Sequence, residues 1–123
     1  MVNGLKDELK EAKGSIVNVT SIAGSRVHPF AGAPYATSKA ALAALTREMA
    51  YDLGPLGIRV NAIAPGEVET SILSPGTDKI VDALPLQRLG QPSEVASVIF
   101  FLCSGQSSYI SGTEIQVNGA QHV

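Results

Sequence analysis

The stretch SIVNVTSIAGSRVHPFAGAPYATSKAALAALTREMAYDLGPLGIRVNAIAPG, Ser15 to Gly66, decides the fold. It begins with Ser15-Ile16-Val17-Asn18-Val19-Thr20, a short β-branched run bounded by Gly14 and Gly24, which suits a buried strand. From Ala36 to Leu53 the period changes. Leu42, Leu45, Met49 and Leu53 recur at helical spacing, with Ala40, Ala41, Ala43, Ala44 and Ala50 between them. Gly54-Pro55-Leu56-Gly57 stops that helix, and Ile58 to Ala64 reads as a second strand closed by Pro65-Gly66. A helix between two strands is a βαβ unit, which requires parallel strands and a right-handed crossover.

Working outward, Met1 to Lys13 carries Leu5 and Leu9 on an otherwise charged segment stopped by Gly14, the pattern of the last turns of a helix. Downstream, Glu67 to Gly90 mixes turn formers with apolar residues and holds one short helix from Thr77 to Leu84. A further helix opens at Pro92, with Glu94 favoured near its start by the helix dipole and Val95, Val98, Ile99 and Leu102 on one side. Thr113 to Asn118, where Ile115 and Val117 alternate with polar neighbours, is a third strand. The class is α/β with about three strands and flanking helices.

Composition removes other classes. The 123 residues carry a net charge of -2, with Lys+Arg 9 against Asp+Glu 11, so neither a nucleic-acid partner nor a disordered acidic chain is expected. The longest apolar run, Val98 to Cys103, is far short of the roughly 18–20 residues that cross a bilayer, and Met1 opens no signal peptide. A chain that avoids the membrane and stays in the cytoplasm is expected. The single cysteine, Cys103, closes no intrachain disulfide, suits a reducing compartment and is expected in the core. His28 and His122 have no metal-ligand spacing, so no metal site is expected; His28 is placed in a loop near the substrate mouth. Glu67 and Glu69, two apart on an extended segment, point away from each other and are expected at the surface. Asn18-Val19-Thr20 matches a glycosylation pattern by coincidence, because it falls in the first strand.

The residues able to carry chemistry gather at strand ends. Tyr35 and Lys39, four apart on the long helix, share a face. A phenol titrates near about 10, and an adjacent cation stabilises its phenolate; Lys39 is the cation available. Ser21 follows the first strand at the carboxyl edge where open α/β sheets bind ligands, although isolated loop serines are mostly caps. The second strand delivers Pro65-Gly66 and Thr70 to the same edge.

In order, Ser21, then Tyr35-Ala36-Thr37-Ser38-Lys39, then Arg59-Val60-Asn61 leading to Pro65-Gly66-x-Val68-x-Thr70, then Arg88-Leu89-Gly90-x-Pro92-x-Glu94-Val95-Ala96, then Ser111-Gly112 and Val117-Asn118-Gly119 resemble the single-domain short-chain dehydrogenases/reductases. The resemblance implies a partial Rossmann-like, doubly wound parallel sheet in which residues 1–123 form the C-terminal part of the domain, without the N-terminal dinucleotide-binding half. It implies an NAD(P)-dependent oxidoreductase that interconverts an alcohol and a ketone. Tyr35 would be the general acid/base, Ser21 would polarise the substrate oxygen, and Lys39 would support Tyr35 and hold the nicotinamide ribose. Tyr35, Lys39, Pro65, Gly66, Val68 and Thr70 would contact NAD or NADP, and Ile72 to Leu86 would form a substrate lid. The family's Gly-rich pyrophosphate turn has no counterpart, since no glycines here have the Gly-x-Gly-x-x-Gly spacing. That gap keeps open an alternative, a truncated, non-catalytic remnant acting only by association. The chain also ends in Val117-Asn118-Gly119-Ala120 where the family commonly has Val-Asp-Gly-Gly. A homodimer or homotetramer through the Ala-rich helix is the expected assembly, and the sheet edge left open predicts a chain that is marginal without a partner.

Overall fold

A computed structural model describes residues 1–71 and 75–123. The elements run α1 (Lys6–Ala12), β1 (Ser15–Val19), α2 (Gly32–Leu53), β2 (Arg59–Pro65), α3 (Thr77–Ala83), α4 (Pro92–Cys103) and β3 (Glu114–Val117), with single 3-10 turns between several of them. The strands form one sheet in the order β1-β2-β3, parallel throughout, with Ile16 opposite Val60 and Ile63 opposite both Val19 and Ile115. This is a partial Rossmann-like fold. Parallel pairing follows from the helical crossover, because a chain that leaves a strand through α2 must return to the same end of the sheet to continue.

Period-two alternation sends the two faces of the sheet to different helices. On one face Val60 and Ile58 pack with Leu53, Met49 and Ala50 of α2, and Ile16 joins them. Asn18, on that face, donates from Nδ2 to Thr46 Oγ1 at 3.0 Å. On the other face Ser15 donates to the Leu102 carbonyl at the end of α4 (2.9 Å), and Leu102 is fully buried. Helices on both faces explain why β2 reads as an apolar run rather than an alternation.

Three expectations change. α2 starts at Gly32, four residues before the periodic run, because Pro34 falls in the first turn, where a missing N–H leaves no bond unmade. Cys103 is exposed, not core, because Leu102 takes the inward position at the end of α4 and the next residue is rotated away by a helical step. β1 is half-buried rather than buried, since it lies at the edge of the sheet. Of the expected lid, Ile72 and Leu73 lie outside the described residues; Leu84 is 4% exposed and serves as core, while Leu86 is 60% exposed. Among the described residues no helix is long and apolar enough to cross a membrane, and no group of three or more His, Cys, Asp or Glu could hold a metal ion.

Candidate active site

Parallel strands put their carboxyl ends at one edge, and the loops leaving β1 and β2 meet there. Thr20 extends the β1 ladder by one step, donating from both its N–H and its hydroxyl to the Ile63 carbonyl at 2.8 Å. Ser21 follows and caps a single 3-10 turn, its Oγ accepting from the Ala23 N–H at 3.1 Å. That bond uses a lone pair and leaves the hydroxyl proton to donate elsewhere. The cap reading and the functional reading of Ser21 are compatible.

The 3-10 turn lies directly on α2. A Cβ on Gly24 would stand 3.0 Å from both the Lys39 carbonyl carbon and the Ala40 nitrogen, so any larger residue would have to push loop and helix backbone apart by a few tenths of an ångström. The loop bearing Ser21 is thus seated against the helix turn that carries Lys39. Lys39 Nζ donates to the Val19 carbonyl at 2.9 Å and lies 5.6 Å from the centroid of the Tyr35 ring. The ring itself is 46% exposed.

On the β2 side, Gly66 donates to the Val117 carbonyl at 3.1 Å. Its own Cβ position is filled by the chain end, with Asn118 Cβ at 2.6 Å, which forbids a larger residue at this turn. Beyond it Gly90 braces the segment: its N–H donates to the Glu67 carbonyl (2.9 Å) and its carbonyl accepts from the Glu69 N–H (2.8 Å). Arg88 and Glu94 hold that brace in turn through two parallel 2.8 Å bonds. The Arg88 guanidinium, followed by the Gln91 backbone N–H, keeps the Glu94 carboxyl at about 2, and Glu94 raises Arg88 in return.

Between these walls lies an open crevice of about 570 Å³ lined by Ser21, Tyr35, Pro65, Gly66, Val68 and Thr70, with apolar flanks from Ile22, Phe30, Pro92 and Val95. Six of the seven site residues read from the sequence therefore border one space; Lys39 stands beside it, under Tyr35. Sequence reasoning missed one pair. Glu67 is not at the surface: its Oε1 lies 2.5 Å from His28 Nε2, and the side chains are 14% and 12% exposed. The two are 39 positions apart, so no linear spacing signals the contact; the common sheet edge was the sole clue. His28 lines the same crevice, and Glu69 is exposed as expected.

A family model described as enoyl-(acyl carrier protein) reductase matches residues 1–122. The chain belongs to the short-chain dehydrogenase/reductase family, a family of NAD(P)-binding oxidoreductases. It is 64% identical to protein FixR of Bradyrhizobium diazoefficiens over all of its length and 45% of that relative's. An oxidoreductase of this family from Brucella ovis, solved with partially ordered NAD, is 62% identical with a TM-score of 0.74, over 95% of this chain and 45% of that one. A 3-oxoacyl-(acyl-carrier protein) reductase from Brucella melitensis with bound NAD is 39% identical with a TM-score of 0.91, over 99% of this chain and 46% of that one. The chain spans about half the length of the relatives it matches.

Proposed function

We propose that residues 1–123 are the C-terminal part of a dehydrogenase domain and contribute the proton-transfer side of an NAD(P)-dependent interconversion of an alcohol and a ketone. The observation that carries this is the convergence of Ser21 and Tyr35 on one crevice, with Lys39 5.6 Å from the Tyr35 ring. In reduction the Tyr35 hydroxyl gives its proton to the substrate oxygen. The Ser21 hydroxyl donates a hydrogen bond to the same oxygen and withdraws charge from it, and the Lys39 ammonium favours the phenolate left behind.

The residues present fit the nicotinamide end of the cofactor. Tyr35 and Lys39 supply a hydroxyl and an ammonium for ribose oxygens, Thr70 a hydroxyl for the carboxamide, and Pro65, Gly66 and Val68 a wall against the ring. When bound, that group supplies the hydride to the carbonyl carbon. The nicotinamide end is the same in NAD and NADP, so these residues do not distinguish the two.

Replacing Tyr35 with Phe in the protein at its native length should reduce turnover by about 10²–10⁴-fold while leaving cofactor binding largely intact; unchanged turnover overturns the proposal. NADH and NADPH titrated into the 123-residue chain alone, followed by nicotinamide fluorescence, test the other reading. Tight binding excludes a remnant that acts only by association. The exposed positions Leu45 and Tyr51 of α2 support a homodimer or homotetramer through that helix, and sedimentation showing a stable monomer opposes it. The single cysteine, Cys103, is exposed and is compatible with a reducing, cytoplasmic setting.

A further inference from the structure

The loops after β1 and β2 are joined by a polar contact that proton transfer leaves unused. His28 Nε2 and Glu67 Oε1 are 2.5 Å apart on the wall of the crevice. The Phe30 N–H donates to His28 Nδ1 at 3.2 Å, and a ring nitrogen that accepts carries no proton, so the imidazole proton sits on Nε2 and is donated to Glu67. The Phe30 ring meets the imidazole edge-on, with centroids 5.8 Å apart, and holds its orientation. The pair is therefore a neutral imidazole on a carboxylate and leaves one negative charge on the wall.

Among the described residues no lysine or arginine pairs with Glu67. Arg26 Nη1 donates to the Gln121 carbonyl, Lys39 Nζ donates to the Val19 carbonyl at 2.9 Å, and neither lines the crevice. Arg88 is committed to Glu94. Carbon side chains from Ile22, Phe30, Val68, Pro92 and Val95 also line the crevice. A charge fixed in such a wall acts on a bound ligand more strongly than it would in water.

We propose that the His28–Glu67 pair determines the substrate class of the crevice, selecting against molecules with a carboxylate beside the reacting carbonyl and in favour of uncharged ones. This rests on the oxidoreductase reading, and the test separates the two. Two ketones of one carbon skeleton, one uncharged and one carboxylated next to the carbonyl, are compared in the protein at its native length. The uncharged ketone should have the higher kcat/KM by about tenfold or more, with the difference in KM, as expected for like charges brought together. Glu67→Gln keeps an acceptor for the imidazole proton and removes the charge, so the ratio should fall toward unity. His28→Gln keeps the charge and should retain the preference, which separates charge from the mere closure of the two loops. Equal kcat/KM for both ketones in the unaltered protein, or an unchanged ratio in Glu67→Gln, overturns the proposal. Ligand-observed NMR of the same ketones reads the preference without turnover. Preference in binding with no turnover of either ketone sinks the oxidoreductase reading and upholds the selection; turnover without preference sinks the selection alone.

Discussion

β1 and β2 are built from similar residues, Ser-Ile-Val-Asn-Val against Arg-Val-Asn-Ala-Ile-Ala-Pro, yet they occupy different environments. Val60 to Ala64 are all at 0% exposure, and β2 is bonded on both sides, to β1 and to β3. β1 is half-buried, reaches 44% exposure at Val19, and has a strand partner on one edge among the described residues. Position in the sheet, not composition, makes the difference. An edge strand with free N–H and C=O groups is a template for another strand.

The strongest way to break this comparison is to truncate one isoleucine on each strand. Ile63→Ala, at 0% exposure, should cost about 2–5 kcal/mol, and Ile16→Ala about half as much, because part of its side chain is already wet. Equal shifts in a denaturant titration would mean that β1 is as enclosed as β2. Asparagine gives a second pair. Asn61 donates to the Ile110 carbonyl (2.9 Å) and accepts from the Thr113 N–H (3.2 Å), both tying β3 to the sheet, whereas the Asn18 side chain bonds Thr46. Asn61→Ala should cost about 2–3 kcal/mol and Asn18→Ala about 1 kcal/mol, read as thermal unfolding shifts. Hydrogen exchange sharpens the same contrast: amides of Val60 to Ala64 should be protected more than those of Ile16 to Val19, and binding of a partner strand should slow the second group only.

The smallest effect is expected at Glu94, on the helix that covers both strands. Its folded carboxyl titrates at about 2 against an ordinary 4.5, so its contribution is present above the ordinary value and is lost as the pH falls through the folded one. Glu94→Gln should lower the melting temperature slightly at neutral pH, and the gap to the unaltered protein should close toward pH 2. A gap that stays constant from pH 7 to about 2 would place the effect in the helix cap rather than in the charge.

Most elements were legible before the structure because their signals are local. The β-branched run at Ser15, the Leu spacing after Ala40 and the turn residues at Gly54-Pro55 and Pro65-Gly66 each report on a few neighbours. The start of α2 was misread because the apolar period begins only after Pro34, although proline in a first turn is permitted. Cys103 was misread because apolar character was taken to mean an inward direction, while the end of α4 turns Leu102 inward instead. Ser21, Tyr35 and the Pro65 to Thr70 turn were legible through their order along the chain and the rule that parallel strands gather ligands at their carboxyl ends.

The sequence by itself determined the parallel α/β class, the crossover helix and the candidate site residues at the carboxyl edge of the sheet, because period, punctuation and side-chain chemistry are properties of short segments. Only the tertiary structure decided that β1 is the edge and β2 the centre. It also decided that Gly24 seats the Ser21 loop on the Lys39 turn, and that Glu67 meets His28 on the wall of the crevice. Those facts depend on which distant segments are brought within a few ångströms, and a contact between positions 39 apart leaves no period in the chain to read.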